Sequence, residues 1–322
     1  MYAVRRPAAK EVLRFHRRWG GSCTYIPNEG TTPSSSICPE AEHSVNHISL
    51  GAATPRKGRY RRMKTISIVN LKGGVGKTVT TVNMAAILAE DYGKKVLVID
   101  ADPQANASHF YGIGEDANTI ACIMDGLADD PYDCIYCTAH EGVDIVPSDI
   151  SLITADIASV SKGVGAGRLR DFLDVIDEDA RTSGEATAYD VVLIDCPPSF
   201  TAASVAAIAA SDDVIIPVKV DAFSVSGMRE LLTQISGVRG ICPGIRTAGI
   251  EVTMWHNSPA VVQGEALLRD SGVPVFRTVI RRSDKVDEST FARQPLNVYS
   301  RHSSAGRDYR ALVAEYLEGA GV

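Results

Sequence analysis

From residue 63 onward the chain alternates two hydrophobic rhythms. Short runs that are apolar at nearly every position and rich in β-branched residues predict strands: TISIVN (65–70), KVLVID (95–100), VDIVP (143–147), DVVLID (190–195), DVIIPV (213–218), GIEVTM (249–254) and VFRTVI (275–280). Strands with apolar residues on both faces belong in parallel sheets covered by helices on each side. Helical periodicity fills the intervals at 78–91, 149–160, 166–178, 202–210, 224–237, 259–271 and 304–318. Regular strand–helix alternation predicts an α/β fold, a doubly wound and mostly parallel sheet with helices on both faces. No internal repeat interrupts it.

Residues 1–62 follow neither rhythm. They are rich in Arg, Ser, Thr, Pro and Gly, and NEGTTPSSSICPE (28–40) reads as loop or disorder. A short basic helix fits KEVLRFHRRW (10–19), and Met63 then opens MKTISIVN as a compact domain would open. The division is therefore a basic extension over 1–62 and one domain over 63–322. Three origins fit the extension: a start codon assigned too early, a disordered basic arm, or an Arg-rich, acid-poor transit peptide.

Charge refines this picture. The net charge of −6 conceals a polarity: residues 1–62 hold 11 Lys/Arg against 4 Asp/Glu, residues 100–235 hold 6 against 24, and residues 239–310 hold 11 against 7. A basic C-terminal third beside an acidic body suits a face that meets a polyanion, and equally suits a mixed solvated surface. No run reaches the roughly 18 apolar residues of a membrane span. Seven cysteines without a short disulfide framework point to the cytoplasm.

The chemistry concentrates at three strand ends. After the first strand comes LKGGVGKTV (71–79), close to the phosphate-binding pattern G-x-x-x-x-G-K-[ST] but with Leu71 at the first glycine position and an added Lys72. Gly73, Gly74 and Gly76 let backbone N–H groups approach phosphate oxygens. Lys77 is placed to reach the β- and γ-phosphates, and Thr78 opens a helix whose N-terminus favours anions and whose hydroxyl suits Mg²⁺. Asp100 and Asp102 in VLVIDADPQANAS, and Asp195 in DVVLIDCPPS, also stand at strand ends, where open α/β sheets bind ligands. Asp195 fits a water-mediated Mg²⁺ carboxylate, and Asp100 or Asp102 fits the group that orients an attacking water.

These residues resemble those of the ParA-type DNA partition ATPases, which carry a deviant Walker A loop. The likeness spans about residues 63–318 and rests on KGGVGKT (72–78), DADPQANAS (100–108), IDCPPS (194–199), IIPVKVDAFSVSGM (215–228) and VFRTVIRRSDKVDES (275–289). The resemblance implies ATP and Mg²⁺ as cofactors. It implies a nucleotide contact set of Lys72, Gly73, Gly74, Val75, Gly76, Lys77, Thr78 and Val79, with Met254, Arg281, Arg282 and Ser283 on the base side. It makes Lys72, Lys77 and Asp102 catalytic, with Lys72 reaching the phosphates of a second subunit and Asp102 activating water. Thr78, Asp100 and Asp195 would serve the metal, the aspartates through water. It implies an ATP-dependent homodimer, non-specific binding of double-stranded DNA, a ParB-like partner, and a cytoplasmic, nucleoid-associated protein without membrane attachment.

The chain departs from that pattern at Val79, where threonine is usual, and at Arg281-Arg282-Ser283, where Pro-Arg-Asn is usual. Candidate DNA contacts are Arg239, Arg246, Arg269, Arg277 and Arg293, together with Arg281 and Arg282. Two other classes compete. A MinD-like regulator of a membrane or protein cargo would end in a basic amphipathic helix. Here Tyr309, Leu312, Val313, Tyr316 and Leu317 form one face of the last helix, but Glu315 and Glu318 offer nothing to anionic lipid, so docking on the domain itself is expected. A redox or metal protein would need a second ligand pair beside Cys134-x-x-Cys137 and His140, and the spacing supplies none.

Overall fold

The structure, a computed structural model, describes residues 63–320 except 129, 164, 186, 222 and 223. The readings of residues 1–62 fall outside the described residues. Eight strands are described: β1 (Lys64–Ile68), β2 (Val96–Asp100), β3 (Tyr136–Cys137), β4 (Val143–Val146), β5 (Val191–Asp195), β6 (Asp213–Lys219), β7 (Arg246–Trp255) and β8 (Val275–Arg281). They form one sheet in the order β3-β4-β2-β5-β1-β6-β7-β8. All pairings are parallel except that of the two-residue edge strand β3 with β4. The central strands β2 and β5 are buried at every position, which explains why their sequences carry no polar alternation.

The helices are α1 (Lys77–Tyr92), α2 (Asn106–Tyr111), α3 (Ile120–Asp125), α4 (Leu152–Lys162), α5 (Arg168–Thr182), α6 (Ala202–Ala210), α7 (Ser224–Ile241), α8 (Pro259–Arg269), α9 (Asp284–Phe291), α10 (Leu296–Tyr299) and α11 (Ser304–Ala320). They cover both faces of the sheet. One core layer joins the sheet to α3, α4, α5, α6 and α7 through Met124, Leu152, Phe172, Ile208 and Leu231. The other joins it to α1 and α11 through Met84, Leu88, Tyr309, Leu312 and Val313. The apolar face expected on α11 is thus spent inside the domain, and at about 1.5–3 kcal/mol for each large apolar side chain this burial holds the helix down firmly.

α2, α3, α9, α10 and β3 are absent from the hydrophobic pattern. Four of them have six residues or fewer, too short for a helical or strand period to register. The β1–β5 and β2–β5 pairings place Ile68, Asp100 and Asp195 in one register row. The P-loop and both acidic motifs therefore leave the sheet side by side at its carboxyl edge.

β7 also carries a buried carboxyl group that sequence reading passed over. Glu251 is fully buried between α1 and α11; both its oxygens accept from Thr80 Oγ1 at 3.0 Å, and Thr80 Oγ1 lies 3.4 Å from the Tyr309 hydroxyl. Among the described residues no cation pairs with it. Burial pushes its pKa from 4.5 up to about 8. A raised folded-state pKa contributes stability that is complete below 4.5 and lost as pH rises through about 8, on the order of several kcal/mol over that window. The Glu251→Gln variant should therefore gain thermal stability relative to the parent as pH rises from 5 to 8.5. Melting curves whose difference stays constant with pH would contradict this assignment.

Candidate active site

The P-loop is anchored before it turns. Asn70 donates through Nδ2 to the Pro217 carbonyl at 2.6 Å and accepts the Lys72 N–H at 2.9 Å, tying the loop to β6. Leu71 packs against the first core layer, which gives a hydrophobic reason for the residue that replaces glycine. Val75 is buried, and its carbonyl accepts from Thr253 Oγ1 at 2.8 Å, tying the loop to β7. Gly74 and Gly76 have φ of 69° and 98°, a left-handed region in which a side chain is strained, and Gly76 is the N-cap of α1. Those two glycines set the turn.

Behind the loop lies a cleft of about 520 Å³, lined by the P-loop residues Gly73, Gly74, Gly76, Lys77 and Thr78 and by Asp102, Gln104 and Pro198 of the two acidic motifs. The volume lies within the usual range for small-molecule sites. Lys77 is buried, its Nζ donates to the Lys72 carbonyl at 3.2 Å, and burial lowers its pKa against the opposing pull of Asp195. Val79 lines the cleft and packs on the second core layer, so its methyl groups serve as wall. This accounts for valine where threonine is usual.

The acidic groups divide their tasks by environment. Asp100 is fully buried and accepts from Ser108 N–H and Ser108 Oγ, both at 2.8 Å, and from the Asp102 N–H at 3.1 Å. It braces the DADPQAN turn. Asp102 accepts the Gln104 N–H at 2.9 Å through one oxygen and lines the cleft. Asp195 accepts from Thr78 Oγ1 at 2.6 Å through Oδ2, while its buried Oδ1 has no hydrogen-bond partner. Burial first, then the Asp100 charge, raises the Asp195 pKa; burial raises that of Asp100. A buried, unpartnered carboxylate oxygen beside a P-loop hydroxyl is the donor chemistry that Mg²⁺ takes. The residues present fit that ion, which Thr78 and Asp195 would hold, with Asp100 beside Asp195 in the same register row.

Lys72 stands apart from this group. It lines no wall of the cleft; 40% of its side chain is exposed, and its ammonium pairs with Asp221 just beyond β6. The cation that the family resemblance places on a second subunit's phosphates is thus held at the rim of its own site.

Of the four base-side candidates, Met254 lines the cleft and the other three make contacts elsewhere. Arg281 forms an ion pair with Asp308 of α11 at 2.6 Å, Arg282 donates its backbone N–H to the Trp255 carbonyl at 2.9 Å, and Ser283 caps α9. None of the three lines the cleft; Met254, Thr290 and Arg293 do. Most candidate DNA arginines are also engaged within the chain. Arg239 donates to the Ile245 carbonyl and Thr247, Arg246 pairs with Asp213 at 2.8 Å, Arg269 with Glu265 at 2.8 Å, and Arg277 with Glu315 at 3.4 Å. Among the described residues the Arg282 and Arg293 guanidinium groups make no ion pair. The Cys134 region contains no metal-binding group of three or more ligands among the described residues, and burial pushes the Cys134 thiol up to about 12. Cys196, beside Asp195, is fully buried.

A P-loop, a metal-ready aspartate and a doubly wound sheet define a P-loop nucleoside-triphosphatase. The family model of an AAA domain matches residues 63–242. The sporulation initiation inhibitor protein Soj of Bacillus subtilis is 34% identical over 260 residues, covering 78% of this chain and 97% of Soj. The chromosome partitioning protein ParA of Caulobacter vibrioides is 33% identical over 260 residues, covering 79% of this chain and 94% of that protein. Among solved structures, a McdA–ATP complex from Cyanothece superposes with a TM-score of 0.69 at 25% identity, covering 81% of this chain and 97% of that one. The chain belongs to the ParA/MinD superfamily of P-loop ATPases, on its ParA/Soj side.

Proposed function

We propose that this protein is a partition ATPase that hydrolyses ATP with Mg²⁺, dimerises when ATP is bound, binds DNA without sequence preference, and segregates a DNA cargo with a ParB-like partner in the cytoplasm. The observation that carries this reading is the division of labour between the two lysines. Lys77 is buried inside the cleft, whereas Lys72 is held at the rim, outside the lining of its own cleft. A loop with a complete internal set and an additional rim cation suits a site finished by a second copy.

The chain's own residues supply the chemistry. Gly74 and Gly76 turn backbone N–H groups toward the phosphates, and Lys77 neutralises their charge. Asp102, which lines the same cleft, would accept a hydrogen bond from the attacking water. Mg²⁺, held by Thr78 and Asp195, would supply neutralisation of phosphate charge. Arrival of a second subunit would add Lys72 to the transferring phosphoryl group and shut out bulk solvent while leaving the attacking water at Asp102.

For DNA, Arg282 is a surface cation without an in-chain ion pair among the described residues, and the basic segment 1–62 adds charge. α11 argues against a membrane-cycling role, because its apolar face is buried in the domain. No described helix is long and apolar enough to cross a membrane. ATP should strengthen binding to a random-sequence duplex at least about tenfold over ADP or no nucleotide, and rising salt should weaken it steeply. Equal affinity in the three nucleotide conditions, read by fluorescence anisotropy, would remove ATP-gated DNA binding from the mechanism.

A further inference from the structure

Helix α4 turns an apolar face to solvent. Ile150, just before it, and Ile153, Ile157 and Val160 are each between 45% and 71% exposed. Steps of three, four and three residues put them in one stripe, the seam pattern of a helix that packs on a second helix. The inner face of α4 is already used: Leu152 and Ala155 sit in the first core layer, and Asp156 accepts the Ala203 N–H of α6 at 2.8 Å. Between 151 and 161 the other exposed residues are Ser151, Thr154 and Ser161, so no charge interrupts the stripe. Leu127 is exposed just past α3, and Ser159 Oγ ties α4 to α3 by donating to the Met124 carbonyl at 3.4 Å. A contiguous exposed apolar patch of this kind marks a docking surface.

The surroundings of the stripe are acidic. Residues 100–167 hold 12 Asp/Glu against one lysine, Lys162. Asp125 in α3, Asp130 soon after it and Asp149 just before α4 make no ion pair among the described residues. Residues 10–19 of the same chain, KEVLRFHRRW, have the complementary chemistry. At helical spacing Val12, Phe15 and Trp19 fall on one face, with the same steps of three and four. Lys10, Arg14 and Arg17 fall on the opposite face and Arg18 at the edge.

We infer that residues 10–19 fold as a helix on the α4 face of their own domain, with Val12, Phe15 and Trp19 packed on Ile153, Ile157 and Val160. Charge and tethering select this occupant. Pairing α4 with the α4 of a second copy would bring two acidic surfaces together, whereas the basic segment is attracted. The chain between, residues 20–62, can span on the order of 140 Å, far more than a domain with a radius of gyration of about 18 Å requires. Met63 is buried in the first core layer, so the extension joins the domain at the layer that α4 covers. A tether of this kind gives an effective concentration on the order of millimolar or just below. Docked this way, Lys10, Arg14 and Arg17 face outward and lay a basic cap over an acidic part of the domain. The inference does not depend on nucleotide or DNA binding.

Hydrogen exchange in the full chain tests it. Ten residues are too few to hold a helix alone in water, so protection of their amides reports docking. The amides of residues 12–19 should exchange about tenfold or more slower than unprotected amides. Ile153→Lys with Ile157→Lys, at two exposed positions, should return them to the unprotected rate while exchange in β2 and β5 stays at the parental rate. Phe15→Ser with Trp19→Ser, which alters no residue of the 63–320 domain, should in turn speed exchange in α4. Unprotected amides at 12–19 in the parent overturn the inference and leave the α4 face to another partner. Protection that survives the two lysines overturns it as well, because the segment would then rest elsewhere. Protection that is lost on tenfold dilution of the protein overturns it too, since a second copy would be the occupant.

Discussion

Lys72→Ala should leave ATP binding within about threefold of the parent and lower DNA-stimulated hydrolysis by about 100-fold or more, the scale seen when a cation that reaches a transferring phosphoryl group from outside is removed. The asymmetry follows from placement. Lys72 is at the rim and paired with Asp221, so the residues that hold nucleotide in one subunit are untouched by its loss. Only a step that draws the lysine away from Asp221 and onto phosphate needs it. Steady-state phosphate release beside equilibrium nucleotide binding separates the two effects. A variant with parental stimulated turnover would show that the second lysine is ornamental. A variant with abolished nucleotide binding would place it inside its own site.

Asp102→Ala should reduce the single-turnover rate about 10²- to 10⁴-fold, the usual contribution of a positioned general base, while ATP and Mg²⁺ still bind. Asp102 lines the cleft wall, and Asp100 and Asp195, deeper in the sheet edge, are engaged with Ser108 and Thr78. The expected product is an ATP-bound dimer that does not turn over, visible by light scattering with ATP. Asp102 also accepts the Gln104 N–H, so the alanine variant alone would confuse catalysis with turn geometry. Asp102→Asn keeps an acceptor for that bond. If the asparagine variant hydrolyses ATP at the parental rate, Asp102 holds a turn and nothing more.

The strands and long helices were legible because their periods are long enough to register, and the sheet's parallel character because β2 and β5 are apolar throughout. The P-loop was legible because its chemistry is local: the glycines, Lys77 and Thr78 lie within six residues. What stayed hidden depends on distance. Arg281 looked available until Asp308, 27 residues later on α11, proved to hold it. Arg246 looked like a DNA contact, yet it neutralises Asp213, a strand residue buried at the other end of β6. Glu251 read as one polar letter in an apolar strand, and only the packing of α1 against α11 makes it a buried acid. The left-handed backbone at Arg293, with φ of 52°, had no sequence signal, because nothing about arginine announces a positive φ.

Valine at position 79 and leucine at 71 illustrate the opposite case. Both break the motif as a pattern, and both are explained once the packing is known: one forms cleft wall, the other anchors the loop to the core.

The central claim is that each active site is finished by the Lys72 of another copy. The most direct measurement mixes two inactive variants, Lys72→Ala and Asp102→Ala, in equal amounts before ATP is added. In a two-fold dimer, a mixed pair has one site with Asp102 from the first chain and Lys72 from the second, and one site lacking both. Half the dimers are mixed and half their sites intact, so hydrolysis should recover to about a quarter of the parental rate. A mixture no more active than its components, with mixed dimers demonstrated by differential labelling, would mean that Lys72 acts within its own chain, and the shared-site mechanism would be wrong.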